Sequence, residues 1–129
     1  MTPNKIGEIA EAKILTKLLE KACEVVLPHS HASRYDMAIV KGRELDRIQV
    51  KNGRFRGGRI AFATRSLTRG YLKGYEGVCE YFGVYCPDLR KCYLVPAKDV
   101  PDNGWGYLRI TPPGNNQKSG ITWASDYEI

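Results

Sequence analysis

Asp36, Gln49 and Lys51 are candidates for chemistry at a phosphate group. The carboxylate of Asp36 and the amide oxygen of Gln49 are oxygen donors of the kind that Mg²⁺ accepts, and Mg²⁺ keeps several of its waters when it binds. The Lys51 ammonium can orient an attacking water or stabilise the negative charge that develops on a reacting phosphate. These side chains therefore predict metal-assisted chemistry at a phosphate, provided that the fold brings them together.

A β-hairpin is the element that must position these three residues. Two short apolar or alternating runs, residues 37–40 and 48–50, are separated by a polar turn that contains a glycine. Side chains two apart in a strand share a face, so Gln49 and Lys51 are expected on the same face of the second strand. Asp36 stands at the start of the first strand. The hairpin thus predicts that a carboxylate, an amide and an ammonium converge.

A long helix is predicted over residues 5–24, where apolar side chains recur at steps of three and four. Its apolar face consists of Ile6, Ile9, Ala10, Ile14, Leu15, Leu18, Leu19 and Ala22. Glu8 and Glu11 lie near its N-terminal end, three residues apart. From position alone, either carboxylate is explained as an exposed charge that complements the helix N-terminus.

The order of an Asp, a hairpin turn and then Gln-x-Lys resembles the motif of the PD-(D/E)XK nuclease superfamily. Tyr35-Asp36 corresponds to the first half of that motif and Gln49-Val50-Lys51 to the second. Residues 71–85, 92–96 and 108–117 are in addition similar to one branch, the small homing endonucleases encoded in bacterial (cyanobacterial) group I introns. The resemblance covers nearly the whole chain.

The resemblance implies an α/β fold with a restriction-endonuclease-like core, in which helices flank a mixed central sheet of four or five strands. In the superfamily a Glu four residues after a Gly in the first helix reaches the metal, which favours Glu11, after Gly7, and keeps Glu8 as the alternative. The implied metal ligands are Glu11, Asp36, Gln49 and the backbone carbonyl of Val50, with Lys51 beside the attacking water. The implied cofactor is Mg²⁺, for which Mn²⁺ substitutes.

Gln49 departs from the superfamily, in which most members have Glu at this position. An amide oxygen can bind a cation but brings no charge. The site would then hold two carboxylates and neutral ligands, which favours one tightly bound Mg²⁺ over two. The same departure supports an alternative, a DNA-binding relative of the fold without catalysis. A second alternative is a structure-selective nuclease such as a Holliday-junction resolvase.

Arginines are concentrated directly after the proposed catalytic strand. They predict a basic β-hairpin, inserted at about residues 52–70, whose guanidinium groups reach phosphates or guanine edges of DNA. The candidates for base contacts are Arg54, Arg56 and Arg59, and those for phosphate contacts are Arg65, Arg69 and Lys73. Asn115 and Gln117, in a later loop, are candidates for base contacts through their amides. An exposed, solubilising turn is the alternative explanation.

Length and charge agree with a single DNA-binding domain. The 129 residues suffice for one core, and the net charge of +6 favours a polyanionic partner. No apolar run is long enough to cross a bilayer, and no basic-then-apolar order at the N-terminus indicates a signal peptide. We therefore expect a cytoplasmic, nucleoid-associated protein with no membrane partner. Its cysteines, without close pairs, are expected to be small buried side chains.

The size of the domain predicts an oligomer. A domain of this length has a radius of gyration of about 14 Å and spans on the order of 10 base pairs. One protomer would therefore contact only part of a long double-stranded site and cut one strand. A two-fold dimer is the minimum assembly, and a tetramer of two dimers would extend its reach.

The rest of the chain is expected to complete the sheet and its connections. Strands are predicted at residues 23–28, 75–85, 91–96 and 107–111, with a connection or short helix over 96–101. Trp123 and Tyr127 are expected to pack the C-terminal segment onto the body or onto a neighbouring subunit.

Overall fold

The computed structural model describes residues 1–30, 32–68, 71–74, 79–101, 103–115 and 119–129. Its one described α-helix is α1 (Pro3–Glu20), and two short 3₁₀-helices cover Ala97–Asp99 and Ala124–Asp126. The strands are β1 (Val25–Val26), β2 (Met37–Lys41), β3 (Glu44–Asn52), β4 (Arg54–Arg56), β5 (Arg59–Ala63), β6 (Arg65–Thr68), β7 (Tyr71–Gly74), β8 (Tyr81–Cys86), β9 (Lys91–Pro96) and β10 (Trp105–Arg109). None of the described helices is long and apolar enough to span a membrane.

A five-stranded mixed sheet forms the centre of the fold, in the order β1-β2-β3-β8-β9. The predicted hairpin is confirmed as β2 and β3, which pair antiparallel with Met37 opposite Ile48. The mixed character comes from β3 and β8, which run parallel. Helix α1 packs on one face of this sheet, because Ile14 and Leu18 are fully buried together with Met37 and Ile48.

A three-stranded sheet, in the order β10-β5-β4, supplies the second hydrophobic cluster. Its buried side chains Ile60, Phe62 and Leu108 pack with Phe82 and Val84 of the central sheet. In a strand successive side chains point to opposite faces, so Phe82 and Val84 lie on the face away from the helix. The central sheet is thus covered by α1 on one face and by the second sheet on the other.

The basic insertion contains two hairpins rather than the single hairpin predicted over residues 52–70. Strands β4 and β5 are joined by Gly57 and Gly58, whose φ angles of +63° and +79° suit a two-residue turn between twisted strands. A second hairpin, β6–β7, follows and continues to Gly74. The first hairpin does not project alone, since β10 pairs along the other edge of β5.

The first helix and the first strand are shorter than predicted. The helix begins at Pro3, where the Thr2 hydroxyl accepts a hydrogen bond from the Lys5 amide, and it ends at Glu20. Ala22 has a φ of +62°, which lies outside the helical region and terminates the helix before residue 24. The strand predicted at 23–28 is reduced to Val25–Val26. Leu19, predicted in the apolar face, is 55% exposed.

The later strands follow the sequence pattern closely. The strand predicted at 91–96 is confirmed as β9. The strand predicted at 107–111 is found two residues earlier as β10, and the connection over 96–101 contains a 3₁₀ turn. Of the strand predicted at 75–85, residues 75–78 lie outside the described residues and the rest contributes β8. Three of the four cysteines are buried, and Cys23 is half-buried.

The C-terminal segment packs onto the body of its own chain, which is one of the two predicted arrangements, the other being packing onto a neighbouring subunit. The Leu94 amide donates to the Tyr127 carbonyl at 2.9 Å, and the Ile129 amide donates to the Cys92 carbonyl at 3.0 Å. The Tyr127 hydroxyl reaches Asp99 at 3.1 Å. This segment therefore occupies the outer edge of β9, which would otherwise present unpaired backbone groups to solvent.

Arg47 and Glu80 hold β3 to the residue that precedes β8. The Arg47 amide and guanidinium donate to the two oxygens of the Glu80 carboxylate at 2.6 to 3.1 Å. The Glu80 amide in turn donates to the Arg47 carbonyl at 2.9 Å. Hydrogen bonding by Arg47 lowers the pKa of Glu80 below its ordinary value. This reciprocal pair fixes the register of the parallel strands and so the position of the C-terminal half of β3.

We expect Gly106→Ala to lower the free energy of unfolding by about 1–3 kcal/mol. Gly106 lies opposite Phe62 in the second sheet, and a Cβ at position 106 would overlap three carbons of the Phe62 ring. That ring is 1% exposed, so it has no room to move away. Urea unfolding measures the change.

Gly7→Ala is the matched control for Gly106→Ala. A Cβ at Gly7 would meet no atom within 4 Å. Gly7 lies within α1, where alanine is favoured over glycine by about 0.5–1 kcal/mol, so this variant should become more stable. A Gly106→Ala protein as stable as the wild type would contradict the close packing of β10 on Phe62.

Candidate active site

The Asp36 carboxylate lies at the edge of the central sheet where β2 begins. The Asp36 amide donates to the Ile48 carbonyl at 2.9 Å, and one carboxylate oxygen of Asp36 accepts from the Val50 amide at 2.7 Å. Alternate residues of a strand turn their backbone groups to the same neighbour, so the Val50 carbonyl faces this edge as its amide does. A carboxylate and a backbone carbonyl are therefore available at one edge of β3.

Glu11 of helix α1 meets the Asp36 carboxyl group. The pKa of Glu11 is raised from its ordinary value to about 7, first by burial, then by a hydrogen bond with Asp36 and by the negative charges of Asp36 and Glu8. Glu8 itself forms an exposed ion pair with Lys5 at 2.8 Å. Of the two candidate glutamates, the structure therefore brings Glu11, and not Glu8, into contact with Asp36.

Gln49 and Lys51 precede and follow Val50 in β3, and the Val50 amide is the group that donates to Asp36. Because Ile48 and Val50 pack in the helix-side cluster, strand alternation directs Gln49 and Lys51 to the opposite face. Both residues are half-buried there, where the second sheet packs. The predicted single face for Gln49 and Lys51 agrees with this register. The carboxyl groups of Glu11 and Asp36 approach β3 from the side on which the Val50 amide donates to Asp36.

The buried thiol of Cys79 lies next to the backbone of Gln49 in β3. Burial raises the pKa of Cys79 to about 11, whereas a hydrogen bond from the Gln49 backbone amide and the positive charge of Lys51 act in the opposite direction. Cys79 is 4% exposed, so it is neutral and packs as an apolar side chain at neutral pH. The Lys51 ammonium is thus close enough to the Cys79 thiol to lower its pKa.

The donor set of this edge fits a hard cation. Burial, the hydrogen bond with Asp36 and the negative charge of Asp36 together raise the pKa of Glu11, and a divalent cation would offset the repulsion between the two carboxyl groups. The remaining candidates, the Gln49 amide and the Val50 carbonyl, also offer oxygen, as Mg²⁺ requires. Within the described ranges no group of three or more His, Cys, Asp and Glu side chains is placed to hold a metal ion. That finding is consistent with an amide at position 49.

The side chains of Arg54, Arg56 and Arg59 are exposed on one face of the second sheet, in register across β4 and β5. Asn115 is exposed in the loop after β10. Arg69 and Gln117 lie outside the described residues, and so do the side chains of Arg65 and Lys73. The structure therefore places three of the predicted base-contacting arginines together on a sheet face.

Sequence reasoning missed the exposed aromatic residues of β10. Trp105 is 49% exposed and Tyr107 is 38% exposed, on the same face as the arginines. The signal was present in the run Trp-Gly-Tyr-Leu-Arg, which places two aromatic residues and an arginine at a period of two, separated by Gly106 and Leu108. The strand was predicted to start at residue 107 and not at 105, which left Trp105 outside it.

We expect the stability of the metal-free protein to fall as pH rises through about 7, in part because of Glu11. A carboxyl group whose folded-state pKa is raised stabilises the fold below its unfolded pKa and loses that contribution as pH passes the folded value. After allowance for solvent screening the contribution is about 1 kcal/mol. Glu11→Gln should remove it. Urea unfolding at pH 5.5 and pH 8 measures the difference between variant and wild type.

Glu20→Gln is the control for this pH effect, since Glu20 is exposed and its ion pair with Lys17 spans 4.0 Å. It should leave the pH dependence of the free energy of unfolding as in the wild type. Equal pH dependence in Glu11→Gln and the wild type would contradict the raised pKa of Glu11.

Comparisons with known proteins identify the family and the fold of this chain. The model of the PD-(D/E)XK endonuclease family matches residues 1–129. Among solved structures, the bacterial homing endonuclease I-Ssp6803I superposes with a TM-score of 0.74, over 99% of this chain and 89% of that chain, at 17% identity. A search of curated proteins finds no match. The resemblance seen in the sequence is confirmed: this chain belongs to the PD-(D/E)XK endonuclease family.

Proposed function

We propose that this endonuclease cuts double-stranded DNA at a specific site with Mg²⁺ as cofactor, and that it acts as a homing endonuclease encoded in a group I intron. The observation that carries the proposal is the contact of the Glu11 and Asp36 carboxyl groups at the edge of β3, next to Gln49-Val50-Lys51. The fold is that of a protein described as a bacterial homing endonuclease, which supports the finer assignment.

Glu11, Asp36, Gln49 and the Val50 carbonyl would hold Mg²⁺, and Mn²⁺ should replace it because it accepts the same oxygen donors. When bound, the cation would supply positive charge for the scissile phosphate and lower the pKa of a coordinated water. The Asp36 carboxylate is held in place by the Val50 amide at 2.7 Å. Because Glu11 retains its proton up to about pH 7, cation binding at neutral pH should release a proton from it.

Lys51 is proposed to act on the reacting groups directly. It lies two residues after Gln49 on the same face of β3, so its ammonium and the amide of Gln49 would flank a bound phosphate. Its positive charge would orient the attacking water and stabilise the extra negative charge of the transition state. The half-buried position of Lys51 restricts its movement and so favours one orientation.

The assembly is proposed to be a dimer at least, and a tetramer would extend its reach along DNA. One protomer carries one carboxylate pair and can cut one strand at a time, whereas both strands must be cut. Sedimentation velocity with and without a cleaved duplex measures the number of copies, and a monomer on DNA that cuts both strands at once would overturn this part of the proposal.

The function is tested by cleavage of a randomised duplex library in Mg²⁺, followed by sequencing of the new ends. The expected result is a set of ends on one long, near-palindromic consensus, also obtained in Mn²⁺ and absent with chelator. For a homing enzyme that consensus should match the joined exons that flank the intron of its own gene.

Other outcomes separate the alternatives. Cleavage of branched junctions in preference to linear duplexes would replace the proposal by a structure-selective nuclease. Specific binding without new ends, in both metals, would indicate a non-catalytic relative of the fold.

A further inference from the structure

One face of the second sheet carries four arginines and two exposed aromatic residues. This arginine–aromatic platform consists of Arg54, Arg56, Arg59, Trp105, Tyr107 and Arg109. Strand pairing arranges these residues in rows across the sheet. Arg56, Arg59 and Arg109 form the first row, and Arg54 and Tyr107 stand in the second with Ala61 between them. Trp105 lies opposite Ala63 in the third.

The charge of the platform has a single sign. Strands β4, β5 and β10 contain four arginines and no Asp or Glu. By contrast, the first residues of β3 include Glu44 and Asp46. Asp88, whose carboxylate accepts from the Phe55 amide, lies at the edge of β4. A face with four guanidinium groups and no Asp or Glu on its strands attracts a polyanion and is costly to cover with another protein surface of the same charge.

Two contacts fix the orientation of arginines on this face. The guanidinium of Arg59 lies 3.9 Å from the centre of the Tyr107 ring, a cation–π arrangement. The Arg109 side chain donates to the Thr111 carbonyl at 2.7 Å, beside the Gly57–Gly58 turn. Stacking leaves the donors at the rim of the Arg59 guanidinium directed outward, so less conformational entropy is lost when they bind phosphate.

The platform begins close to the candidate active site. Only Asn52 and Gly53 separate Lys51 from Arg54, and three residues of extended chain span at most about 10 Å. The Gly53 amide donates to the Tyr85 carbonyl at 2.7 Å, and its Cα packs against Ile60 and Val84. This junction is thus fixed between the two sheets. A strand of DNA whose phosphate lies at Lys51 would pass over the platform.

We propose that the platform is a DNA-binding surface on which Tyr107 and Trp105, as well as the arginines, contact the duplex that flanks the cleaved bond. This inference rests on the proposed function, and it adds residues that neither the motif nor the charge pattern identified. Tyr107 holds Arg59 toward a phosphate and packs against the sugar–phosphate edge. Trp105, one row further along the sheet, packs its exposed ring against the adjoining part of the duplex backbone. Aromatic side chains are common in such binding surfaces.

The test measures binding of metal-free protein to a mixed-sequence duplex of about 30 base pairs, longer than the roughly 10 that one domain spans. Fluorescence anisotropy gives the affinity at several salt concentrations. We expect Tyr107→Ala and Trp105→Ala each to weaken binding by fivefold or more. Arg59→Ala should reduce the slope of log affinity against log salt by about 1. Tyr107→Phe, which keeps the ring under Arg59, should bind as the wild type does.

Leu45→Ala is the matched control, because Leu45 is also a large exposed side chain, at 48% exposure, and lies at the other end of β3. It should leave the affinity unchanged. A second readout uses intrinsic fluorescence: in a Trp123→Phe protein Trp105 is the only tryptophan, and its emission should be quenched by the duplex. A change in folding alone would not produce quenching that saturates with DNA.

The outcomes of this test are separable from those of the proposed function. If the wild-type protein binds or cuts duplex while Tyr107→Ala and Trp105→Ala behave as it does, the platform inference is wrong and the proposed function stands. Binding of single strands in preference to duplex, lost in the same variants, would also overturn it, because the aromatic residues would then stack on unpaired bases. A wild-type protein that neither binds this duplex nor cuts the randomised library would refute the proposed function itself.

Discussion

Lys51→Ala should abolish DNA cleavage while specific DNA binding is retained. Lys51 is proposed to stabilise charge that develops only in the transition state, so its loss should act on the rate of the chemical step rather than on affinity. Removal of one such electrostatic contact typically costs about 100-fold or more in rate. Single-turnover cleavage with saturating enzyme measures the chemical step, and a gel-shift titration on the same duplex measures binding.

Lys98→Ala is the matched control for this variant. Lys98 is exposed in the short helix Ala97–Asp99, which follows β9, and β9 is separated from β3 by β8 in the central sheet, so the change removes the same charge outside the candidate site. It should leave the cleavage rate within a factor of two of the wild type. If Lys51→Ala turned over as fast as Lys98→Ala, the catalytic role of Lys51 would be excluded, whatever the family resemblance implies.

The local parts of the fold could be predicted from the sequence. The hairpin of β2 and β3 is encoded by two short apolar runs and a tight turn, and Gly42, with a φ of +61°, supplies the conformation that the turn requires. The strand Lys91–Pro96 was likewise predicted at its observed limits. In both cases the determining signals lie within a few residues of each other, so no distant contact is needed to recognise them.

The second sheet could not be predicted, because its pairing joins residues that are far apart in the chain. Ala63 and Trp105 are paired, although the sequence around each shows only a short alternating run. A prediction from local pattern assigns such a segment to a hairpin with its nearest neighbour. For this reason the arginines were expected on a single hairpin over about residues 52–70, whereas Arg54, Arg56 and Arg59 lie on the face of a three-stranded sheet.

The choice between Glu8 and Glu11 was also beyond the local pattern. Residues three apart lie on neighbouring parts of a helix, and only the direction in which α1 crosses the sheet decides which of them reaches Asp36. The structure brings Glu11 to Asp36 and pairs Glu8 with Lys5. The spacing from Gly7, which came from the family resemblance, had favoured the same residue.

Asp36→Asn should remove Mg²⁺ binding and lower the cleavage rate by more than about 100-fold, while the protein stays folded. An asparagine oxygen can still accept the hydrogen bond that the Val50 amide donates at 2.7 Å, so the edge of β3 keeps its structure. The variant loses only the negative charge. Isothermal titration with Mg²⁺ and single-turnover cleavage measure the two effects, and thermal unfolding checks the fold.

The same variant has a second consequence that does not depend on activity. The raised pKa of Glu11, about 7, depends in part on the charge of Asp36 and on the hydrogen bond with it, so in Asp36→Asn it should fall toward the ordinary value. NMR of carboxyl-labelled glutamate follows this titration. Asp88→Asn is the matched control, because Asp88 also accepts a backbone hydrogen bond, from the Phe55 amide at 3.0 Å.

In Asp88→Asn both the pKa of Glu11 and the affinity for Mg²⁺ should stay as in the wild type. An Asp36→Asn protein in which Glu11 still titrates near 7 would show that burial alone raises its pKa. If that protein also bound Mg²⁺ with full affinity, the two carboxyl groups would not form one site. The metal would then have to be sought among other oxygen donors of the fold, and the assignment of Asp36 as a ligand would be withdrawn.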